Sequence, residues 1–294
     1  TDFAVLLTSY IIGLIIEKFF KNGSEWLNNI VIKGCKVPPL AFVDDINMMT
    51  DNYENLKTIG DKLTEALNHI SLRANGQKTK IIVTGNNKQS KELRENLINN
   101  PITIQENNIE VTESDLYLGF RINKNGVRAS IQQTADERFK KAAGKLFTIK
   151  TVVNHPAMQA NGFIRSSAAL FRAMIVPTVM YSSECWFGMS KGMIKNMEIK
   201  YHKMMCKLID IPITTSYSAV LAEMGLNRLE TLIDIQKLCF INSIVRQNKS
   251  TDITKELLEA DHKAVREFNE KIKKSKAKKK PKEKESIYRS EEHT

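Results

Sequence analysis

The chain has 294 residues, 42% of them hydrophobic and 26% charged, with only 13 Gly and 7 Pro. That composition excludes collagen-like, mucin-like and wholly disordered chains and leaves room for one large domain or two ordinary ones. Lys and Arg outnumber Asp and Glu by 11, yet nine Lys against Glu283 between Lys271 and Lys284 supply +8 of this, leaving +3 for the rest. A polyanionic partner is favoured, with much of the signal in one tail.

The first residues, FAVLLTSYIIGLII, form an apolar run of about 14, short of the 18 to 20 a membrane span needs and without a signal-peptide pattern. The run predicts a buried helix, whose packing partners would lie upstream of Thr1 in a longer protein, and no membrane partner. Trp26 to Lys33 alternates as a strand. Leu40–Val43 and Ile46–Met49 are apolar runs broken only by Asp44 and Asp45, which predicts a β-hairpin. Leu56, Ile59, Leu63, Leu67 and Ile70 repeat at three or four and predict an amphipathic helix ending near Asn75-Gly76. A strand over Ile81–Thr84 follows, then a helix from Lys88 to Ile98, a hairpin pairing Ile102–Ile104 with Ile109–Val111 across the QENN turn, and a strand over Tyr117–Ile122 closed by Asn123–Gly126.

Beyond that turn the pattern is helical. Ala135, Phe139, Ala142, Leu146, Ile149 and Val153 step by four and three, with Arg138, Lys141 and Lys145 as a cationic stripe on another face. Ile164, Ala168, Phe171 and Ile175 predict a second helix, and Met193, Met197, Tyr201, Met204 and Leu208 a third. Gly225 is expected to stop a helix and Asn227 to cap the next, which carries Leu229, Leu232 and Ile233. From about Phe268 apolar periodicity ends and a solvated, disordered basic tail is expected.

Cys35, Cys185, Cys206 and Cys239 show no paired C-x-x-C spacing, so neither a secreted disulfide framework nor a ribbon-type zinc site is encoded. His202 and Cys206 are spaced i, i+4, but no second pair completes a metal site. Asp44 and Asp45 are the first candidates for chemistry. Adjacent carboxylates repel, and a bound Mg²⁺ removes that cost with charge and a preference for hard oxygen ligands. The dipeptide alone reads more simply as a solvent-facing turn, for which Asp is common.

The surroundings of that dipeptide change its meaning. FVDD after an apolar run, then NGQKTK, then DLYLGF, then a helical region with IVPTVMYSSECW together resemble, in collinear order from about Thr1 to Glu230, the reverse transcriptases of non-LTR (LINE-like) retroelements. The resemblance implies an α+β fold: a partial polymerase palm of hairpin, sheet and packed helices over residues 1–125, an all-helical thumb and following helices over 126–268, and the basic tail over 269–294. It gives Asp44 and Asp45 the role of catalytic carboxylates near two Mg²⁺ ions, with Asp44 the likelier direct ligand, and sets Lys78 near the incoming triphosphate. Leu116, Tyr117, Leu118 and Gly119 would form a primer grip, and the Arg138, Lys141 and Lys145 stripe would lie along the backbone of an RNA–DNA hybrid. The implied partners are an RNA template, a DNA primer and deoxynucleoside triphosphates.

The departures from the family pattern also carry weight. The upstream palm aspartate, the Gln-Gly loop and the fingers are missing, so the sequence is expected to be a fragment that does not polymerise alone. Ser182 and Ser183 replace an expected Gly, so Tyr181, Glu184 and Trp186 are read as packing residues. Arg289–Thr294 resembles the translation of a sequencing adapter, which would make those six residues artefactual. Two other readings stand beside the polymerase: a non-catalytic nucleic-acid-binding remnant, and a host helical bundle that binds a partner. KIKKSKAKKKPK fits a nuclear-import or RNA-binding patch, so a nuclear or cytoplasmic and not a secreted location is expected.

Overall fold

The computed structural model describes residues 39–156 and 162–246, together with Ile12, 30–32 and 35–37. The expected N-terminal helix, apart from a helical and buried Ile12, lies outside the described residues. So do the basic tail, the last six residues and most of the Trp26–Lys33 strand. The fold is mixed α+β and mostly helical, with small two-stranded sheets.

Strands come first. β1 (Val31–Ile32) pairs antiparallel with β2 (Cys35–Lys36), and β3 (Leu40–Phe42) with β4 (Asp45–Asn47). Helix α1 (Tyr53–His69) starts where the Asn52 side chain accepts a hydrogen bond from the Asn55 backbone N–H at 2.8 Å, satisfying one of the helix's unpaired donors. β5 (Lys80–Ile81) and β8 (Glu110–Val111) pair in parallel across α2 (Lys88–Asn99), which Asn87 caps in the same way. The first strand is shorter than the expected Ile81–Thr84, and its parallel partner is a segment expected to pair in a hairpin with Ile102–Ile104. Arg94 of α2 donates to the Val83 carbonyl at 2.8 Å and ties the helix to the chain leaving β5.

The second hairpin differs from expectation. β6 (Thr103–Ile104) pairs with β7 (Asn107–Asn108) across a two-residue turn, Gln105-Glu106, both at positive φ. Ile109 keeps only a backbone hydrogen bond to the Ile102 carbonyl, and Glu110–Val111 turns to β5. Gln105 holds this geometry in place. Its backbone N–H donates to Thr64 Oγ1, its side-chain amide donates to Asn68 and the Leu72 carbonyl, and its side-chain oxygen accepts from the Ala74 N–H. The turn is therefore pinned to the end of α1.

A third difference follows at once. Tyr117–Ile122 is not one strand: β9 (Ser114–Tyr117) folds back on β10 (Phe120–Asn123) across Leu118-Gly119. Residues 114–123 thus hold the last strands among the described residues, and helices dominate from there to Arg246.

Helix α3 (Val127–Val153) buries Ile131, Ala135, Phe139, Ala142, Leu146, Ile149 and Val153 along one face, the stripe read from its periodicity. Behind it Phe163–Met180 runs as α4 (Phe163–Leu170), a π-turn (Phe171–Ile175) and α5 (Val176–Met180). Pro177 has no N–H to return to the preceding turn, and the Val176 N–H instead bonds the Phe171 carbonyl five residues back. This segment is long and apolar enough to cross a membrane by length and composition. Here it is the centre of a core, with Ala168, Phe171, Ile175, Val179 and Met180 buried against α3 and α6 (Lys191–Ile209).

Ser190 caps α6, Gly225 at φ +58 ends α7 (Tyr217–Met224), and α8 (Leu229–Arg246) closes the described chain. Asn227 was expected to cap α8; the carbonyl that receives the first helical hydrogen bond, from Leu232, belongs to Arg228. The side chain of Arg228 pairs instead with Glu198 of α6 at 2.9 Å.

Candidate functional site

The β3–β4 hairpin presents the paired aspartates. Phe42 faces Asp45 across the ladder, so the two-residue turn is Val43-Asp44 rather than Asp44-Asp45. Val43 sits at φ +57, a conformation that a β-branched side chain adopts only under strain and that hairpin turns normally give to Gly. Such strain costs on the order of 1–3 kcal/mol and persists only where surrounding structure enforces it. Both carboxylates are exposed, and so are Leu40 and Phe42, which share the Asp45 face by the two-residue alternation of a strand.

Asp45 lies within electrostatic reach of Tyr117 at the end of β9. Burial pushes the Tyr117 phenol above its ordinary range, and the negative charge of Asp45 adds to the rise. Two motifs separated by some seventy residues thus lie within electrostatic range of each other.

The turn after Tyr117 is built by close approach. Leu118 and Gly119 both have positive φ, +48 and +79, the pairing expected of a tight hairpin turn. A Cβ on Gly119 would lie 2.5 Å from the Tyr181 ring and 2.7 Å from the Arg138 guanidinium, so only Gly fits. Arg138 of α3 donates to the Gly119 carbonyl at 2.5 Å and stacks 4.1 Å from the centroid of the Tyr181 ring, while the Tyr181 hydroxyl donates to the Leu118 carbonyl at 3.2 Å. Tyr181, read from sequence as a packing residue, is half exposed and clamps this turn. Its signal was its place in IVPTVMYSSECW, but its partner is not visible without the fold.

Of the cationic stripe, Arg138 is committed to the turn and Lys145 donates to Thr178 Oγ1 at 2.8 Å. Lys141 is exposed and makes no ion pair or hydrogen bond among the described residues. Two residues of the stripe thus also join helices and hairpin. Leu116 and Leu118 are exposed beside the turn.

Lys78 stands apart. Asn75-Gly76-Gln77-Lys78-Thr79 folds as a turn in which the Asn75 carbonyl accepts from the Lys78 and Thr79 N–H groups at 3.0 and 2.9 Å. The loop packs against the β6–β7 hairpin, where a Cβ on Gly76 would lie 2.7 Å from Asn107. Lys78 is exposed, and no hydrogen bond or ion pair joins it to Asp44 or Asp45 among the described residues.

The donor set limits metal chemistry. Among the described residues no group of three or more His, Cys, Asp or Glu is arranged to hold a metal ion. Two carboxylates on one turn do not complete the octahedral oxygen shell of one Mg²⁺, still less of two, so the residues present do not fit the pair of ions that the sequence pattern implies. His202 and Cys206 do meet, Nε2 to Sγ at 3.2 Å, as a local contact within α6. Compared with protein-family models, curated proteins and solved structures, the chain has no significant match in any of the three.

Proposed function

We propose that these residues are the palm and thumb part of an RNA-directed DNA polymerase of the non-LTR retroelement kind. The observation that carries the reading is the strained turn of the Asp44–Asp45 hairpin, with Asp45 in electrostatic range of Tyr117 in the Leu116–Gly119 segment. An active centre needs its carboxylates and the surface that holds the primer end side by side, and the order of the motifs in the sequence matches. Exposed Leu116 and Leu118 flank a turn whose only tolerated residue at its tip is Gly, which lets a nucleic-acid strand approach backbone closely. Lys141 is free to meet a phosphate, while Arg138 and Lys145 position the elements around it. The Asp44 and Asp45 carboxylates would supply only part of a Mg²⁺ site, and Lys78 would offset triphosphate charge. A second reading, a non-catalytic nucleic-acid-binding remnant, draws on the incomplete donor set.

Primer extension on an RNA template separates the two readings. The chain as it stands should make no DNA. In the polymerase extended upstream through the remaining palm and fingers, Asp44→Ala should reduce synthesis below detection while hybrid binding is largely kept. Lys78→Ala should slow it by about a hundredfold and leave activity measurable. Robust synthesis by the Asp44→Ala enzyme would make the hairpin a structural turn and sink the polymerase assignment.

A further inference from the structure

Helix α3 carries a second basic surface that the stripe does not include. A groove of about 550 Å³ runs between α3 and α6, lined by Lys140, Phe147 and Lys150 of the first and Lys200, Lys203 and Lys207 of the second. At about 100° per residue, this row and the Arg138–Lys145 row flank the buried face of α3 on opposite sides. Five lysines and one carboxylate, Asp136, line the groove. Lys200 is engaged with Asp136 and Lys150 with Asp210, whereas Lys140, Lys203 and Lys207 make no ion pair or hydrogen bond among the described residues.

The floor decides what the groove accepts. Phe139, Leu146 and Met204 contribute its walls but are at most 7% exposed, so they offer almost no surface to a ligand. Phe147 is 79% exposed and stands out of this floor with Ala143 beside it. A protein partner docks through a contiguous apolar patch with a buried anchor, and one protruding ring does not make one. One exposed aromatic face ringed by cations instead suits an unpaired base with its phosphates, the pattern of stacking platforms in electrostatic grooves.

We propose that the α3–α6 groove binds a single-stranded polynucleotide, a base stacking on Phe147 and the flanking phosphates meeting Lys140, Lys203 and Lys207. The lining provides amines, hydrocarbon and a single carboxylate, Asp136, which Lys200 and Gln132 already engage, so RNA and DNA strands bind alike and without sequence preference. The site does not depend on the polymerase reading: it lies on the flank of α3 away from Arg138 and Gly119, and loss of one function leaves the other testable.

Fluorescence anisotropy of the full chain with labelled oligouridylate and oligothymidylate tests this. Phe147→Ala should weaken both about tenfold, the effect of one lost stack, with the salt dependence unchanged. Phe147→Leu should fall with it, because an aliphatic chain has bulk but no π face, and Phe147→Trp should keep affinity and show quenching of its added fluorescence. Lys203→Gln with Lys207→Gln should instead reduce the log–log salt slope by about 1.4, at ~0.7 per phosphate of a single strand. The basic tail adds salt-dependent background equally to every variant, so the differences belong to the groove. Wild-type binding by Phe147→Ala or Phe147→Leu would overturn the proposal. So would an unchanged slope in the double lysine variant, about tenfold discrimination between the two oligonucleotides, or Phe147-dependent binding of an acidic amphipathic peptide but of neither strand.

Discussion

In residues 39–123 the sheets have two strands each and the buried clusters are small, one around Leu67, Ile104 and Ile109 and one around Val83, Leu97 and Ile102. In residues 127–246 a single buried cluster runs from Ile131 to Ile233 and draws on every helix from α3 to α8. The candidate carboxylates and the turn at Leu118-Gly119 lie in the thin region, with Val43 and Leu118 at positive φ, whereas the thick region has a deep core and keeps its own positive-φ residues, Ser182 and Asp210, between its helices. The contrast teaches that strained turns can be held by a neighbour rather than by their own packing. Phe120 of β10 packs on the helical cluster, and Arg138 and Tyr181 reach out from it to grip the Leu118-Gly119 turn.

Core truncation should break the comparison most visibly. Phe171→Ala removes a fully buried ring that meets Tyr201 edge-on with centroids 5.3 Å apart, and should cost about 3–5 kcal/mol. Urea unfolding followed by the fluorescence of buried Trp186, with Trp26 replaced by Phe in every variant, would read it. Ile104→Ala should lower the stability of the mixed region by about 2–4 kcal/mol and leave the Trp186 midpoint nearly in place. Equal shifts in both variants would show that the two regions unfold as one. Next in size, Gly119→Ala meets a positive φ and two side chains at once, and should cost about 2 kcal/mol by thermal unfolding. Arg138→Ala in the Gly119→Ala background should recover part of that loss, since one of the clashing groups is gone.

The smallest effect is confined to alkaline solution. Burial pushes the Tyr217 phenol up to about 12 from an ordinary 10.0, with the negative charge of Glu198 adding to the rise and the Leu229 N–H bond opposing it. The folded state therefore holds this proton more tightly than the unfolded chain. The corresponding stability is fully present below pH 10 and is lost as pH rises toward 12. Tyr217→Phe should move the alkaline unfolding midpoint upward. At neutral pH it should be slightly less stable, by about 1 kcal/mol, through loss of the hydrogen bond from Leu229 N–H to the phenol oxygen. Buried Tyr201, also pushed up by burial, keeps some alkaline sensitivity in that variant.

The helices were legible because their apolar residues recur at three and four, and the buried faces of α3 and α6 are the ones that spacing names. The Asp44–Asp45 hairpin was legible from two apolar runs around a polar break. Its turn was placed one residue late, since no sequence rule puts Val at a positive φ. The same cause explains the other two differences. Gln105-Glu106 and Leu118 take left-handed backbone because Thr64, Asn68 and Tyr181 hold them there, and those partners lie tens of residues away. The α3–α6 groove escaped notice for a related reason: Lys140 and Phe147 belong to one periodic row, Lys203 and Lys207 to another, and only packing brings the rows together.

The π-turn before Pro177 sets the phase of everything that follows it on that helix. Each residue of a wider turn advances less than the ~100° of an α-helix, so the spacing of four from Phe171 to Ile175 does not drift off the core as it would in regular winding. Ile175 and Val179 stay buried, and Thr178 and Tyr181 come out aimed at Lys145 and at the Leu118-Gly119 turn. One missing N–H at a proline thus acts as an angular offset, lining up the helical core with a hairpin that begins some sixty residues earlier in the chain.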